Sequence, residues 1–423
     1  MSDSAIATRY RLHRMTGRDP AQRHRASTPL ELLFDLTFVV AFGQASDQFA
    51  HIVAEGHVVI ALQGFVFAMF AVCWAWINFS WFASAYDTDD WFFRVATMVQ
   101  MIGVLVLALG LPPMFASIEH GEPLDNRMMV AGYVVMRVAL LAQWLRAAIQ
   151  DPARRSTALT YVFFIAVSQV GWVILTFLNT APAWIGIPFA VVVVLLDVSG
   201  PVIAERRGDR RGRGSPWHAH HIAERYSLLA IIALGEGILG TIASVSAIVS
   251  TGEWTSEAVL LVVAGTGLTF AMWWVYFTLP SAQILHRRRD RSFGWGYSHV
   301  LIFAAITATG AGLHVAAFVI DDQARIGVVG AVLATGIPVL IYIVALFGIY
   351  TYLLRSVDAF HGLLICVAAA LVVVAGVAAS NGLSLGTSLL IVMLAPVTVV
   401  VGYEVLGYKH HERALTRALA EPS

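Results

Sequence analysis

The 423-residue chain is short of charge. Asp, Glu, Lys and Arg make up 13% of it, while 58% is hydrophobic. Soluble domains carry about 25% charged residues, so this chain lacks the ionic surface a soluble fold of its size needs. That excludes a soluble cytosolic enzyme and a disordered chain. Cysteine is scarce too: Cys73 and Cys366 both lie in apolar stretches. They offer neither a disulfide framework nor a metal-binding spacing. The formal net charge is zero, so no broad basic face is available for nucleic acid and no global field steers a charged partner. Phosphate-binding Walker and dinucleotide fingerprints are both missing. No cofactor is therefore expected, and ATP-driven transport would need another subunit. The first 28 residues are polar and Arg-rich, without the short apolar run of a cleaved signal. The first apolar stretch is expected to remain as a helix. Lys409 is the single lysine, a bias towards arginine that reads as codon usage in a GC-rich, bacterial genome.

What the chain has is long apolar runs. A membrane helix needs about 20 mostly apolar residues. Twelve stretches qualify: 30–51, 57–83, 91–117, 128–148, 157–178, 183–203, 219–249, 256–280, 295–319, 326–350, 358–379 and 385–406. Barrel strands are about half that length and alternate, so an all-α polytopic membrane protein is expected. Twenty-two of the 27 basic residues fall on the side shared by both termini. They include Arg154, Arg155, Arg206, Arg207, Arg210, Arg287 and Arg288, together with the N-terminal and C-terminal tails. Only Arg127 and Arg325 fall in the opposite loops. The positive-inside rule then places both termini in the cytoplasm of a bacterial inner membrane.

The two halves look related. Glu31 and Gly43-Gln44 in span 1 match Glu224 and Gly235-Glu236 in span 7. Trp74-Ala-Trp76 in span 2 matches Trp273-Trp274 in span 8, and Gly110-Leu111 in span 3 matches Gly312-Leu313 in span 9. Six spans per half implies a parallel repeat. The expected organisation is an Arg-rich tail (1–28), a six-helix repeat (29–204), a basic linker (205–217), a second six-helix repeat (218–407) and a C-terminal tail (408–423).

Several motifs are distinctive: Arg23-His24-Arg25-Ala-Ser-Thr-Pro29-Leu-Glu31-Leu-Leu-Phe34-Asp35, then Tyr86-Asp87-Thr88-Asp89-Asp90…Arg94, then His221…Glu224-Arg225…Gly235-Glu236. With the hydropathy, they resemble the bacterial low-temperature-requirement protein A (LtrA) family over nearly the whole chain. The resemblance implies an integral membrane protein linked by name to growth in the cold. It brings no agreed substrate or reaction.

Ionisable groups within spans are costly, at least about 2.5–3.5 kcal/mol each, and tend to face the bundle interior. Glu31 and Asp35 share a helix face. Arg94, at a comparable depth, is expected to pair with one of them, either as a structural ion pair or as a competitor for a bound cation. Glu224 reads as a helix-start carboxylate or a site residue, and Arg225 as interfacial. Glu236 lies about 18 Å further along span 7, near the midplane, and is the leading ion-binding candidate; Gln44 is its neutral counterpart. Its flanking glycines, Gly235 and Gly237, would allow close helix approach or a broken helix. Arg137, central in span 4, is expected to oppose Glu236 or to hold an anionic substrate. Asp90 or Asp89 caps span 3. His218, His220 and His221 form an interfacial, pH-sensitive cluster rather than a metal site.

These residues favour an ion-coupled secondary transporter of a small solute or ion, in contact with membrane lipids, over an enzyme. A cation channel is the alternative. Arg25…Phe34-Asp35 partly resembles the Arg…Phe-Ser-Asp motif of lysosomal potassium channels, although Leu33 replaces any serine between the motif positions and the spacing differs. An envelope- or lipid-maintenance role is a third, with no nucleophile–base constellation behind it.

Overall fold

The computed structural model describes residues 12–20, 22, 25–178, 180–249 and 254–407. The expected tail arginines Arg9, Arg11 and Arg23 and the C-terminal Lys409, Arg413 and Arg417 lie outside these residues. All regular structure among the described residues is helical, and twelve helices are long and apolar enough to cross a membrane. In chain order they are α1 (Pro29–Ala54), α2 (Val58–Tyr86), α3 (Trp91–Glu119), α4 (Arg127–Gln150), α5 (Arg155–Phe177), α6 (Trp184–Asp209), α7 (Ala219–Val249), α8 (Ser256–Arg287), α9 (Arg289–Ile320), α10 (Val328–Leu354), α11 (Ala359–Ser380) and α12 (Leu385–Val405).

Local chemistry sets their ends and breaks. Thr28 and Glu31 form a reciprocal capping box at the start of α1: each side chain accepts the other's backbone N–H, and Pro29 fills the first helical position. Asp90 caps α3 by accepting the Phe93 N–H, Thr255 caps α8, and Asp358 caps α11. The ladder of α3 breaks at Gly110, just before Pro112 and Pro113, which have no N–H to continue it. In α8 the break comes at Pro280.

The described chain divides into two compact units. One holds residues up to Ala41 and Ala71–Arg225; the other holds Phe42–Phe70 and Tyr226 onwards. The division runs through the length of α1, α2 and α7. In the first unit α3 packs on α4, α4 on α5 and α5 on α6; in the second α9 packs on α10, α8 on α12, and α10 and α11 on α12.

Small residues set the closest approaches. A side chain at Gly103 would strike the Gly132 carbonyl, and one at Gly110 the Met129 amide, so α3 and α4 meet backbone to backbone. Gly312 meets the backbone of Ala334 and Thr335 in the same way, joining α9 and α10.

Candidate functional site

The first unit carries a water-excluded charge network. Glu31 and Asp35 lie one turn apart on α1, with no exposed surface. Their cation is Arg225 on α7, whose Nη1 is 3.0 Å from Glu31 Oε1 and whose Nη2 donates to Asp35 Oδ1. His221, one turn earlier on α7, sets Nε2 3.1 Å from Glu31 Oε2. The Trp76 indole donates to Asp35 Oδ1 at 2.7 Å, and its ring lies 5.5 Å from the Arg225 guanidinium. Arg225 thus takes the role the sequence reading gave Arg94. Arg94 forms an exposed pair with Asp89 at 2.8 Å, because it opens α3 next to its own capping loop. Arg225 is a buried counter-ion rather than an interfacial residue.

A segment preceding α1 closes over this network. Arg25 is buried and donates to the Ala83 and Ser84 carbonyls at the end of α2, where the helix dipole is negative. Burial brings its pKa down to about 10, helped by Arg18 and opposed by Glu31 and Asp87. The Ser27 N–H donates to Glu224 Oε1 at 3.2 Å, so the part-buried Glu224 anchors this segment. Asp87, just past α2, is buried with Arg18 3.6 Å away. Burial and the Glu31 charge push its pKa up to about 6, against the Asp89 amide, Arg18 and Arg25. For Asp90, burial acts in the same upward sense. The Arg146 bonds and the Phe93 and His13 amides outweigh it and hold the carboxyl below its usual range.

Arg137 does not face Glu236. It pairs with Asp197 on α6 at 3.2 Å, both buried, and its Nη1 donates to Asn78. Trp172 also donates to Asp197. The sequence reading overlooked Asp197, although a lone acid within Val-Val-Val-Val-Leu-Leu-Asp is the signal that had singled out Glu236.

Glu236 belongs to the second unit. It is 2% exposed, and among the described residues no cation pairs with it. Its polar neighbours are the Ser46 hydroxyl and the Asp47 carboxylate of α1. His314 of α9 lies 3.5 Å from Asp47. The backbone of α7 at Glu236 is pressed by α9: a Cβ on Gly310 would sit 2.6 Å from the Glu236 carbonyl carbon. On another side Gly237 admits Thr269 of α8. Helix α7 runs unbroken through this point, and Gly235 has open space around it, so Gly237 alone of the two makes the close approach. Gln44 is part-buried within α1.

A twelve-helix chain with ion pairs and a carboxylate buried among its spans is a multi-pass membrane protein. Residues 26–396 match the family model of the bacterial low temperature requirement A protein (LtrA), and the chain belongs to that family. It is similar to an uncharacterized protein of Rhizobium meliloti (strain 1021), 26% identical over 305 residues that cover 68% of each chain. No solved structure matches it.

Proposed function

We propose that this LtrA-family protein is an ion-coupled secondary transporter of a small solute or ion. In this reading it lies in the bacterial cytoplasmic membrane, surrounded by lipid, with both termini inside. Two six-helix parallel repeats, 29–204 and 218–407, are joined by the basic linker 205–217. The repeat is supported by bonds that recur roughly two hundred residues apart: Tyr133 donates to the Ala71 carbonyl at 2.6 Å, and Tyr342 to the Met272 carbonyl at 2.6 Å. Each joins the fourth span of its half to the second. The paired glycine approaches at Gly110 and Gly312 follow the same scheme.

The observation that carries the transport reading is Glu236: a carboxylate 2% exposed, within a span, with a hydroxyl and a second acid beside it and, among the described residues, no cation paired with it. Such a group costs a few kcal/mol to insert and is retained where an ion or substrate uses it. Two acids favour a cationic passenger, whether proton, metal ion or protonated amine. Glu31, Asp35, Glu224 and Arg225 form the gate on the side of the termini; Gln44 and Arg137 are the further solute- or ion-binding candidates of this reading.

The test is a screen of cations and small cationic solutes in sealed proteoliposomes under an imposed pH gradient. We expect gradient-driven uptake of at least one, abolished in Glu236→Gln. Uptake that is unchanged in Glu236→Gln overturns the assignment. Unitary conductance steps in a planar bilayer would replace a carrier by a channel.

A further inference from the structure

Among the described residues, the charges sealed into this one network of the first unit do not balance. Glu31, Asp35 and Asp87 contribute three carboxylates, and Arg225 and Arg25 two guanidiniums, with every one of these residues at most 6% exposed. Arg18, 3.6 Å from Asp87, is about one-third exposed, so solvent screens it. An unmatched charge out of water carries a penalty of several kcal/mol. Such sites relieve it by taking up a proton.

We propose that this network is a proton-binding site, in which one proton, shared between the His221 imidazole and the Asp87 carboxyl, completes the charge.

Hydrogen-bond directions single out His221. The neighbouring His218 accepts the His221 backbone N–H at Nδ1, 3.2 Å, and its Nε2 is 2.7 Å from the Gln22 carbonyl. A carbonyl only accepts, so His218 carries its proton on Nε2. Its Nδ1 is already taken up by accepting the His221 N–H. His221 has the opposite arrangement. Its Nε2 donates to the Glu31 carboxylate, and its buried Nδ1 has no hydrogen-bond partner among the described residues. A proton arriving at Nδ1 displaces nothing and makes an imidazolium already paired with Glu31. Asp87 is the other acceptor: among the described residues no hydrogen-bond donor reaches its buried Oδ2, and burial with the Glu31 charge pushes its pKa up to about 6. Glu31 and Arg25 interact electrostatically with both His221 and Asp87. Both acceptors therefore answer to the same two charges.

The remaining charged groups around the network are already matched or solvated. Arg94 and Asp89 pair with each other at the surface, Arg146 holds Asp90, and Arg154 holds Asp151. Glu224 is part-buried and takes the Ser27 amide.

The test is a potentiometric titration of the purified full-length protein in detergent, between about pH 5 and pH 9, which spans histidine and a raised carboxyl. No gradient is involved, so the result stands whether or not the chain carries a solute. The decisive variant is Glu31→Gln, which preserves the capping box, since glutamine serves there as well as glutamate. It removes one buried negative charge and leaves both acceptors in place. We expect the wild-type protein to release about one proton per chain more than Glu31→Gln across this window. The double variant His221→Asn/Asp87→Asn should match Glu31→Gln, and adding Glu31→Gln to it should remove nothing further. Should Glu31→Gln fail to fold, the double variant against wild type decides alone. Equal proton release by wild type and either variant overturns the proposal.

Discussion

Arg225 Nη1 lies 3.0 Å from Glu31 Oε1, and neither side chain has any exposed surface. The same guanidinium serves Asp35, so one cation holds two carboxylates that water cannot reach. Removing it leaves both acids uncompensated, whereas removing all three charges together leaves none. Arg225→Met should therefore cost about 3–5 kcal/mol of stability. The triple variant Glu31→Gln/Asp35→Asn/Arg225→Met should recover most of that loss. Chemical denaturation in detergent reads both. A single variant as stable as the parent would mean that the network is solvated after all.

Asp87 makes stability depend on pH in a direction opposite to most acids. Its carboxyl titrates near 6 in the folded chain against 3.8 in the open. Below about pH 4 both states hold the proton and nothing distinguishes them. From there to about pH 6 the unfolded chain has lost a proton that the folded chain retains, so stability falls as pH rises. The full loss is about 3 kcal/mol. Asp87→Asn should flatten this part of the profile, measured as melting temperature against pH. A variant whose profile keeps the same slope would assign it to another group.

The sequence made the spans legible because length and apolarity are local properties, and the twelve helices follow the apolar runs to within seven residues at either end. Intramembrane acids were legible for a similar reason: burial of Glu236 follows from its place in a span. Partners were not legible. Whether Arg94 or Arg225 reaches Glu31 depends on helix rotation and on which helices are neighbours, neither of which depth along a span determines. Arg137 was matched to Glu236 by depth, and its actual acid, Asp197, was passed over. The capping box at Thr28 and Glu31 was readable as Thr-x-x-Glu, but the charge on Glu31 drew the interpretation towards ions. It serves both purposes, since one oxygen takes the Thr28 amide and the other faces Arg225.

Arg137 and Asp197 offer a test of whether a buried pair is structural. Their 3.2 Å contact is completed by Asn78 and Trp172. Asp197→Leu strands a guanidinium and should cost about 3–5 kcal/mol, while Arg137→Met/Asp197→Leu should come close to the parent. A double-mutant cycle on unfolding free energy measures the coupling. If the double variant is stable yet fails in the vesicle uptake assay, the pair belongs to the transport route; if uptake survives, it only holds α4 to α6.

Gly310 and Gly235 separate two reasons for glycine near Glu236. A Cβ at Gly310 would stand 2.6 Å from the Glu236 carbonyl carbon and from its Cβ. Those atoms cannot move without shifting α7 against α9, so Gly310→Ala should cost about 1–3 kcal/mol by overpacking. It should also disturb whatever Glu236 does, because the displaced backbone carries that side chain. At Gly235 an added Cβ meets nothing within 4 Å, and alanine is favoured over glycine in a helix by about 1 kcal/mol. Gly235→Ala should therefore be neutral or stabilising, with uptake unchanged. Melting curves and vesicle uptake for the two variants give the comparison. Equal effects would mean that α9 does not press on α7 at Glu236, and that the close approach at Gly310 is not what positions the carboxylate.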